Sequence, residues 1–331
     1  MKNLYKLKGI VFNYDNNSFI NDLNLEIAKS EITCFVGPNG SGKTTLLNIL
    51  SFLNFPYSGS IIFDDAKLKK DNIKNFRNKV GYVQQNPYLF RGTVYKNIEI
   101  GLKLNRINLE KRVRKIKKIL SLLKINHLRD RLADSLSSGE ARKVAIGQTM
   151  VLDPSVLIMD EPFSNLDKNS IIDLEELIIS LNKDLNKTVI FTTHDQFQAQ
   201  KLSSLIFSLI KGRIFSNDFT NLFKGKFDES MHKFDTGKQL ISVYERKKNA
   251  EYISIDPRQI VLSVERLDSS MQNNFYGKIT GISEDDNNIK INIDIGDNIQ
   301  AIITRQAFNE LKLLPNMNVW VSFKSTSIMI F

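Results

Sequence analysis

Gly37-Pro38-Asn39-Gly40-Ser41-Gly42-Lys43-Thr44-Thr45 follows the β-branched and aromatic run Glu31-Ile32-Thr33-Cys34-Phe35-Val36 and leads into Leu46, Leu47, Ile49 and Leu50 at helical spacing. A G-x-x-x-x-G-K-[ST] pattern between a strand and a helix predicts a loop that cradles the phosphates of a nucleoside triphosphate. The glycines let backbone N–H groups wrap the phosphates, and the helix N-terminus adds positive potential. Lys43 neutralises charge and Thr44 can ligate magnesium. All nine residues of the loop are therefore candidate nucleotide contacts.

Downstream, the apolar run Val156-Leu157-Ile158-Met159 meets Asp160-Glu161-Pro162, and Thr188 to Thr193 meets His194-Asp195. Both read as buried strands ending in polar residues, the place where open α/β sheets gather their ligands. Asp160 is positioned to hold magnesium, and Glu161 to polarise an attacking water. A strand-end histidine such as His194 can donate to a transferring phosphoryl group.

The 331 residues, 42% hydrophobic and 25% charged, suit a soluble chain of two domains. No apolar run approaches the ~20 residues that span a bilayer, and no secretory pattern opens the chain, so an intracellular location is expected. Cys34 cannot pair internally and reads as a core residue. Residues 103–131 hold eleven of the 46 Lys and Arg against Glu110 and Asp130, nearly all of the net charge of +10. Val113, Ile116, Ile119, Leu120 and Leu123 supply an apolar stripe there, predicting an amphipathic helix with a basic outer face. A solvated face, an anionic membrane surface and nucleic acid all remain open for it, the last disfavoured because stacking aromatics are missing.

Up to about residue 215 strand-like and helix-like runs alternate, as in an α/β domain wound around a largely parallel sheet. Residues 216–239 are polar and weakly periodic and read as a linker. From 240 to 331 the pattern is β: Ile289, Ile291, Ile293 and Ile295 alternate with Lys290, Asn292 and Asp294, shorter strands follow, and a helical insert is expected near Arg305 to Leu313. A small β-barrel is the economical architecture.

Leu136-Ser137-Ser138-Gly139-Glu140 adds the decisive element. With it, residues 1–215 resemble the ATP-binding-cassette (ABC) ATPases, whose signature is LSGGQ. The motifs fall in the family's order: Tyr14 for adenine stacking, the phosphate loop, Gln85, the signature, Asp160-Glu161, Ser164-Asn165-Leu166-Asp167 and His194. The resemblance implies a P-loop ATPase domain with a helical subdomain at about 88–150, and ATP with Mg2+ as cofactors. It also implies a homodimer in which the signature of one copy (Ser137, Ser138, Gly139, Glu140) faces the nucleotide on the other. Glu161, His194 and Gln85 would be catalytic, Thr44, Gln85 and Asp160 would hold magnesium, and Asp167 would cross the dimer seam. Ser138 replaces a signature glycine, and Lys143 and Gln148 stand where arginines are usual.

The C-terminal part, from Ser269 to Lys278 and through Ala301 to Arg305 and Val321 to Ser327, looks like the TOBE domain of molybdate and tungstate transport ATPases. Ser270, Lys324 and Thr326 are the oxyanion candidates, since hydroxyls and one lysine can hold a dianion. Gln272 stands where this family often has arginine. The resemblance implies a peripheral subunit on the cytoplasmic face of the membrane, working with separate permease subunits that dock near Tyr88-Leu89-Phe90. An extracytoplasmic oxyanion-binding protein would act with it indirectly. Sulfate, iron, sugar or polyamine import is the alternative with the same motor. A soluble ABC ATPase acting on nucleic acid is the alternative of another class.

Overall fold

Two long strands, β1 (Asn3–Tyr14) and β2 (Asn17–Ala28), pair antiparallel at the start of the chain, and β1 also pairs with β4 (Ser58–Phe63). The short β5 (Ala66–Lys67) completes this four-stranded sheet. Between them come β3 (Ile32–Val36) and α1 (Lys43–Leu50), which bracket the phosphate loop as the sequence predicts. The computed structural model describes residues 2–14, 17–216, 221–228, 233–245, 250–285 and 288–330. Contacts divide the chain into two units, Met1–Ile214 and Phe215–Phe331.

The centre of the first unit is a six-stranded sheet. Besides β3 it contains β6 (Val80–Val83), β7 (Val156–Met159), β8 (Thr188–Thr193), β9 (Leu205–Ile210) and the edge strand β10 (Arg213–Ser216), in the order β10-β9-β3-β8-β7-β6. Strands β9, β3, β8, β7 and β6 run parallel. All residues of β3, β7 and β8 are buried, as expected for strands covered on both faces. Alternation assigns the faces: Leu157 and Met159 join one core cluster with the helices, while Val156 and Ile158 join another with α1 and the antiparallel sheet. Burying each such aliphatic side chain is worth about 1.5–3 kcal/mol.

The short α2 (Ile73–Arg77) precedes β6, and the helical insert that follows comprises α3 (Val94–Leu104), α4 (Leu109–Leu122) and α5 (Ser138–Met150). Each has a side-chain N-cap, from Thr93, Asn108 and Ser137, as capping preference anticipates. Then α6 (Lys168–Lys183) and α7 (Gln196–Leu202) complete the unit. Helix α4 carries the basic face, but its apolar stripe is shorter than expected. Ile116, Ile119, Leu120 and Leu123 are buried, whereas Val113 is 45% exposed. In that N-terminal half Arg112 turns inward instead, to the buried Glu99 carboxylate of α3 at 3.2 Å.

The second unit is nearly all β. Residues 216–239 are not the expected linker: β11 (Asn221–Lys224), β12 (Lys226–Asp228) and β13 (Lys233–Asp235) lie there, and β13 pairs with β14 (Leu240–Ser242). Strand β11 pairs with β15 (Tyr252–Ile255). The physical reason is burial of isolated side chains, Phe223 and Phe234, in strands too short to show a period. Asn221 adds two hydrogen bonds with the Gln300 backbone, at 2.8 and 2.6 Å. A five-stranded antiparallel sheet follows, built from β16 (Val261–Ser263), β17 (Asn273–Asp285), β18 (Asn288–Asp294), β19 (Asn298–Thr304) and β20 (Asn318–Phe323). Helix α8 (Arg305–Glu310) is the predicted insert, and β21 (Ile328–Ile330) pairs with β15. The isoleucines of β18 are buried and its polar residues are not, as alternation requires.

Candidate active site

Because β3, β8, β7 and β6 are adjacent and parallel, with Val36 opposite Thr193 and Val83 opposite Met159, their C-terminal ends bring four distant segments to one edge. The phosphate loop, His194, Asp160-Glu161 and Gln84-Gln85 each leave from one of those ends. Gly42 opens α1 with φ of 109°, a left-handed conformation that suits glycine, so the turn into the helix is tight. Ser41, Lys43 and Thr45 are buried, Thr44 and Asn39 exposed. The Tyr14 side chain lies outside the described residues.

Lys43 Nζ donates to the carbonyls of Gly37 at 2.8 Å and Pro38 at 3.3 Å, and lies 3.2 Å from Glu161 Oε1. Thr44 Oγ1 donates to Asp160 Oδ2 at 2.6 Å. The other Asp160 oxygen accepts from Thr192 Oγ1 at 2.6 Å, and that hydroxyl accepts from the Glu161 N–H at 2.8 Å. Glu161 holds φ of 43°, strain of a kind that gathers at functional sites. Its Oε2 lies 2.9 Å from His194 Nδ1, although the imidazole itself is 69% exposed. Burial pushes the Glu161 carboxyl up, but the hydrogen bond from His194 and the Lys43 ammonium outweigh it, so the group ionises below the usual glutamate range. An ionised, oriented carboxylate beside a lysine and a histidine can hold and polarise a water.

Gln85 is exposed beyond the end of β6, and the backbone just before it is pinned: the Asp160 N–H donates to Val83 O at 2.9 Å. The signature residues start α5. Ser137 caps it in a reciprocal box with Glu140, whose Oε2 accepts from the Ser137 N–H at 2.8 Å. Ser138 Oγ donates to Asn165 O at 3.1 Å. Gly139 packs against α6 so closely that a Cβ there would lie 2.3 Å from Ser170 Oγ. Asp167 caps α6 through the Asn169 and Ser170 N–H groups, both at 3.0 Å, and accepts from Ser170 Oγ. Lys143 pairs with Asp173 at 2.6 Å, and Gln148 donates to Asn97 at 3.0 Å. Buried Asn97 in turn brackets Phe90, accepting from its N–H at 2.8 Å and donating to its carbonyl at 2.9 Å. Tyr88 and Phe90 are exposed with rings 5.4 Å apart, while Leu89 packs on the core.

In the second unit Ser270, Lys324 and Thr326 are all exposed. The pairing of Asn273 with Phe323 puts the loop holding Ser270 and the turn holding Lys324 and Thr326 at the same end of β17 and β20. No hydrogen bond joins the three side chains. Thr192 is the site residue that pattern reading passed over. Thr192 stood in a quoted strand end, but a threonine in a β-branched run carries no separate signal.

Residues 20–164 match the ABC transporter family and residues 269–330 the TOBE domain. A Pyrococcus abyssi protein named molybdate/tungstate import ATP-binding protein WtpC is 30% identical, covering 94% of this chain and 96% of that one. The chain belongs to the ABC transporter ATP-binding family. As a family member it is an ATP-binding protein of the ATPase type with a C-terminal TOBE domain. The Mesostigma viride sulfate/thiosulfate import ATP-binding protein CysA is also 30% identical, over 94% of both chains. Among solved structures, the dimeric post-hydrolysis state of the ATP-binding cassette MJ0796 bound to ADP and Pi superposes with a TM-score of 0.57 at 28% identity, covering 63% of this chain and 96% of that one. Among the described residues no helix is long and apolar enough to cross a membrane.

The donors meet the demands of magnesium, a hard cation that takes oxygen ligands. Thr44 Oγ1 and Asp160 Oδ2, both oxygen donors, already touch.

Proposed function

We propose that the chain is the ATP-hydrolysing subunit of an importer for molybdate- or tungstate-type oxyanions, acting as a homodimer on the cytoplasmic face of the membrane and driving separate permease subunits. The observation that carries the cargo is the identity extending through both units to a molybdate/tungstate import protein of nearly equal length. A sulfate cargo is the second reading, favoured by the equal identity to a sulfate/thiosulfate import protein. These tetrahedral dianions present similar chemistry to a site of hydroxyls and one lysine. Ser270, Lys324 and Thr326 are the side chains to test as such a site.

In the mechanism, Lys43 leaves the Gly37 and Pro38 carbonyls and Glu161 for the phosphates of ATP. Thr44, Asp160 and Gln85 would hold Mg2+, which supplies charge neutralisation at the transferring phosphoryl group. Thr192 keeps Asp160 and the Glu161 backbone in fixed relation. Released from Lys43, Glu161 orients the attacking water and accepts its proton, while His194 contacts the γ-phosphate. A second copy's α5 N-terminus, with Ser137, Ser138, Gly139 and Glu140, adds N–H donors and helix dipole to that phosphate. Asp167 lies at the seam and holds the start of α6. Hydrolysis then weakens closure and moves the permease through Tyr88 and Phe90.

Transport measured with the co-purified permease tests this reading. ATP-dependent uptake of molybdate or tungstate, competing with sulfate only at large excess, supports the oxyanion assignment, and uptake of sulfate in preference would replace it.

A further inference from the structure

One buried cation takes no part in that mechanism. Arg142 sits on α5, one turn after Ser138, and is 5% exposed. Its Nη1 donates to the Gln84 carbonyl at 2.9 Å, and its Nε has no partner. Burying a guanidinium with unused donors costs free energy, so the position is not a passive filler. Burial lowers its proton affinity, opposed by the Asp160 carboxylate, which places that acid within electrostatic range.

The geometry points to Arg142 as a positioning residue that transmits occupancy of a chain's own nucleotide site to the signature it offers a second copy. The guanidinium bridges two elements with opposite allegiances. Gln84 follows Val83, whose carbonyl accepts from the Asp160 N–H, and its own carbonyl accepts from Arg142. Gln85, next in sequence, would read the metal and γ-phosphate of its own site. Ser138 and Gly139 lie on the same helix as Arg142, so a shift of the Gln84 carbonyl would pull on that helix against the seats that Asn165 and Ser170 give those two residues. Coupling of this kind between two sites appears as cooperativity in binding or turnover. The inference rests on the dimeric reading, but the bridge itself lies within one chain.

Arg142→Met, which keeps an apolar stem without the charge, and Arg142→Lys, which keeps a cationic donor without the planar fork, are the variants of choice. Affinity for a fluorescent ATP analogue, measured on dilute protein, should stay within about twofold in both. The Hill coefficient of ATP hydrolysis should fall from about 2 towards 1 in Arg142→Met, with partial recovery in Arg142→Lys. An unchanged Hill coefficient, or loss of analogue affinity in step with turnover, would overturn the proposal. The unaltered chain supplies a measurement that needs no variant. Under dilution that keeps it monomeric, ATP should slow amide exchange over Ser138 to Lys143, and exchange unaffected by ATP would equally overturn it. Failure to dimerise would instead refute the dimeric reading and leave that exchange effect standing.

Discussion

Lys43 and Glu161 face each other across the ends of β3 and β7, ammonium to carboxylate at 3.2 Å, both nearly excluded from solvent. In the proposed mechanism this contact pairs Lys43 with the candidate base until phosphates compete for the ammonium. Glu161→Gln keeps the shape and one acceptor oxygen but removes the negative charge. Turnover should fall by about 10²–10⁴-fold while ATP stays bound and the dimer accumulates, as seen by size-exclusion chromatography with magnesium ATP. Turnover near that of the unaltered chain would remove Glu161 from the role of base.

Gly139 allows α5 to lie against Ser170, and an added methyl has no room there. Gly139→Ala should destabilise the first unit by about 1–3 kcal/mol in denaturant unfolding, with a larger proportional loss of ATPase activity because the signature is displaced. Stability and activity both unchanged would show that the contact yields freely.

Glu140 ionises below the usual glutamate range, chiefly because it accepts from the Ser137 N–H. Its folded-state carboxylate is favoured over the unfolded one, near pKa 4.3, so its contribution is complete above that pH and is lost as pH falls through the lower folded value. Glu140→Gln keeps a weaker cap without the titration. The stability difference between the two proteins should be largest near neutrality and vanish in acid, and a difference constant with pH would exclude the capping carboxylate.

Strands β11 and β13 pair with β15 and β14, on opposite sides of residue 240. A chain ending at residue 214 should stay soluble and hydrolyse ATP. One ending at 239 retains β11 without β15 and β13 without β14, and exposed edges of that kind associate, so it should aggregate on light scattering. Equal behaviour of the two truncations would contradict the pairing.

The parts of the fold legible in sequence were those with long or motif-bound signals. The phosphate loop sits between strand and helix as its flanks dictate, and β7 and β8 are buried over their whole length because both faces are covered. The alternating β18 needed only its own period. The strands at 221–235 were not legible, since three or four residues around one buried phenylalanine carry no period. The stripe on α4 was overextended at Val113, because periodicity identifies a face but not how far a neighbour covers it.

The amino-acid sequence alone determined the phosphate loop, the order of the motifs after it and the change from α/β to β texture, because each is set by residue type at close spacing. Only tertiary structure decided that Thr192 joins Asp160 to Glu161, that Lys43 rests on Glu161, and that Arg142 reaches the carbonyl of Gln84. These contacts join residues 31 to 118 positions apart. Parallel strands bring their ends together by hydrogen-bonded register, which no local window of sequence contains.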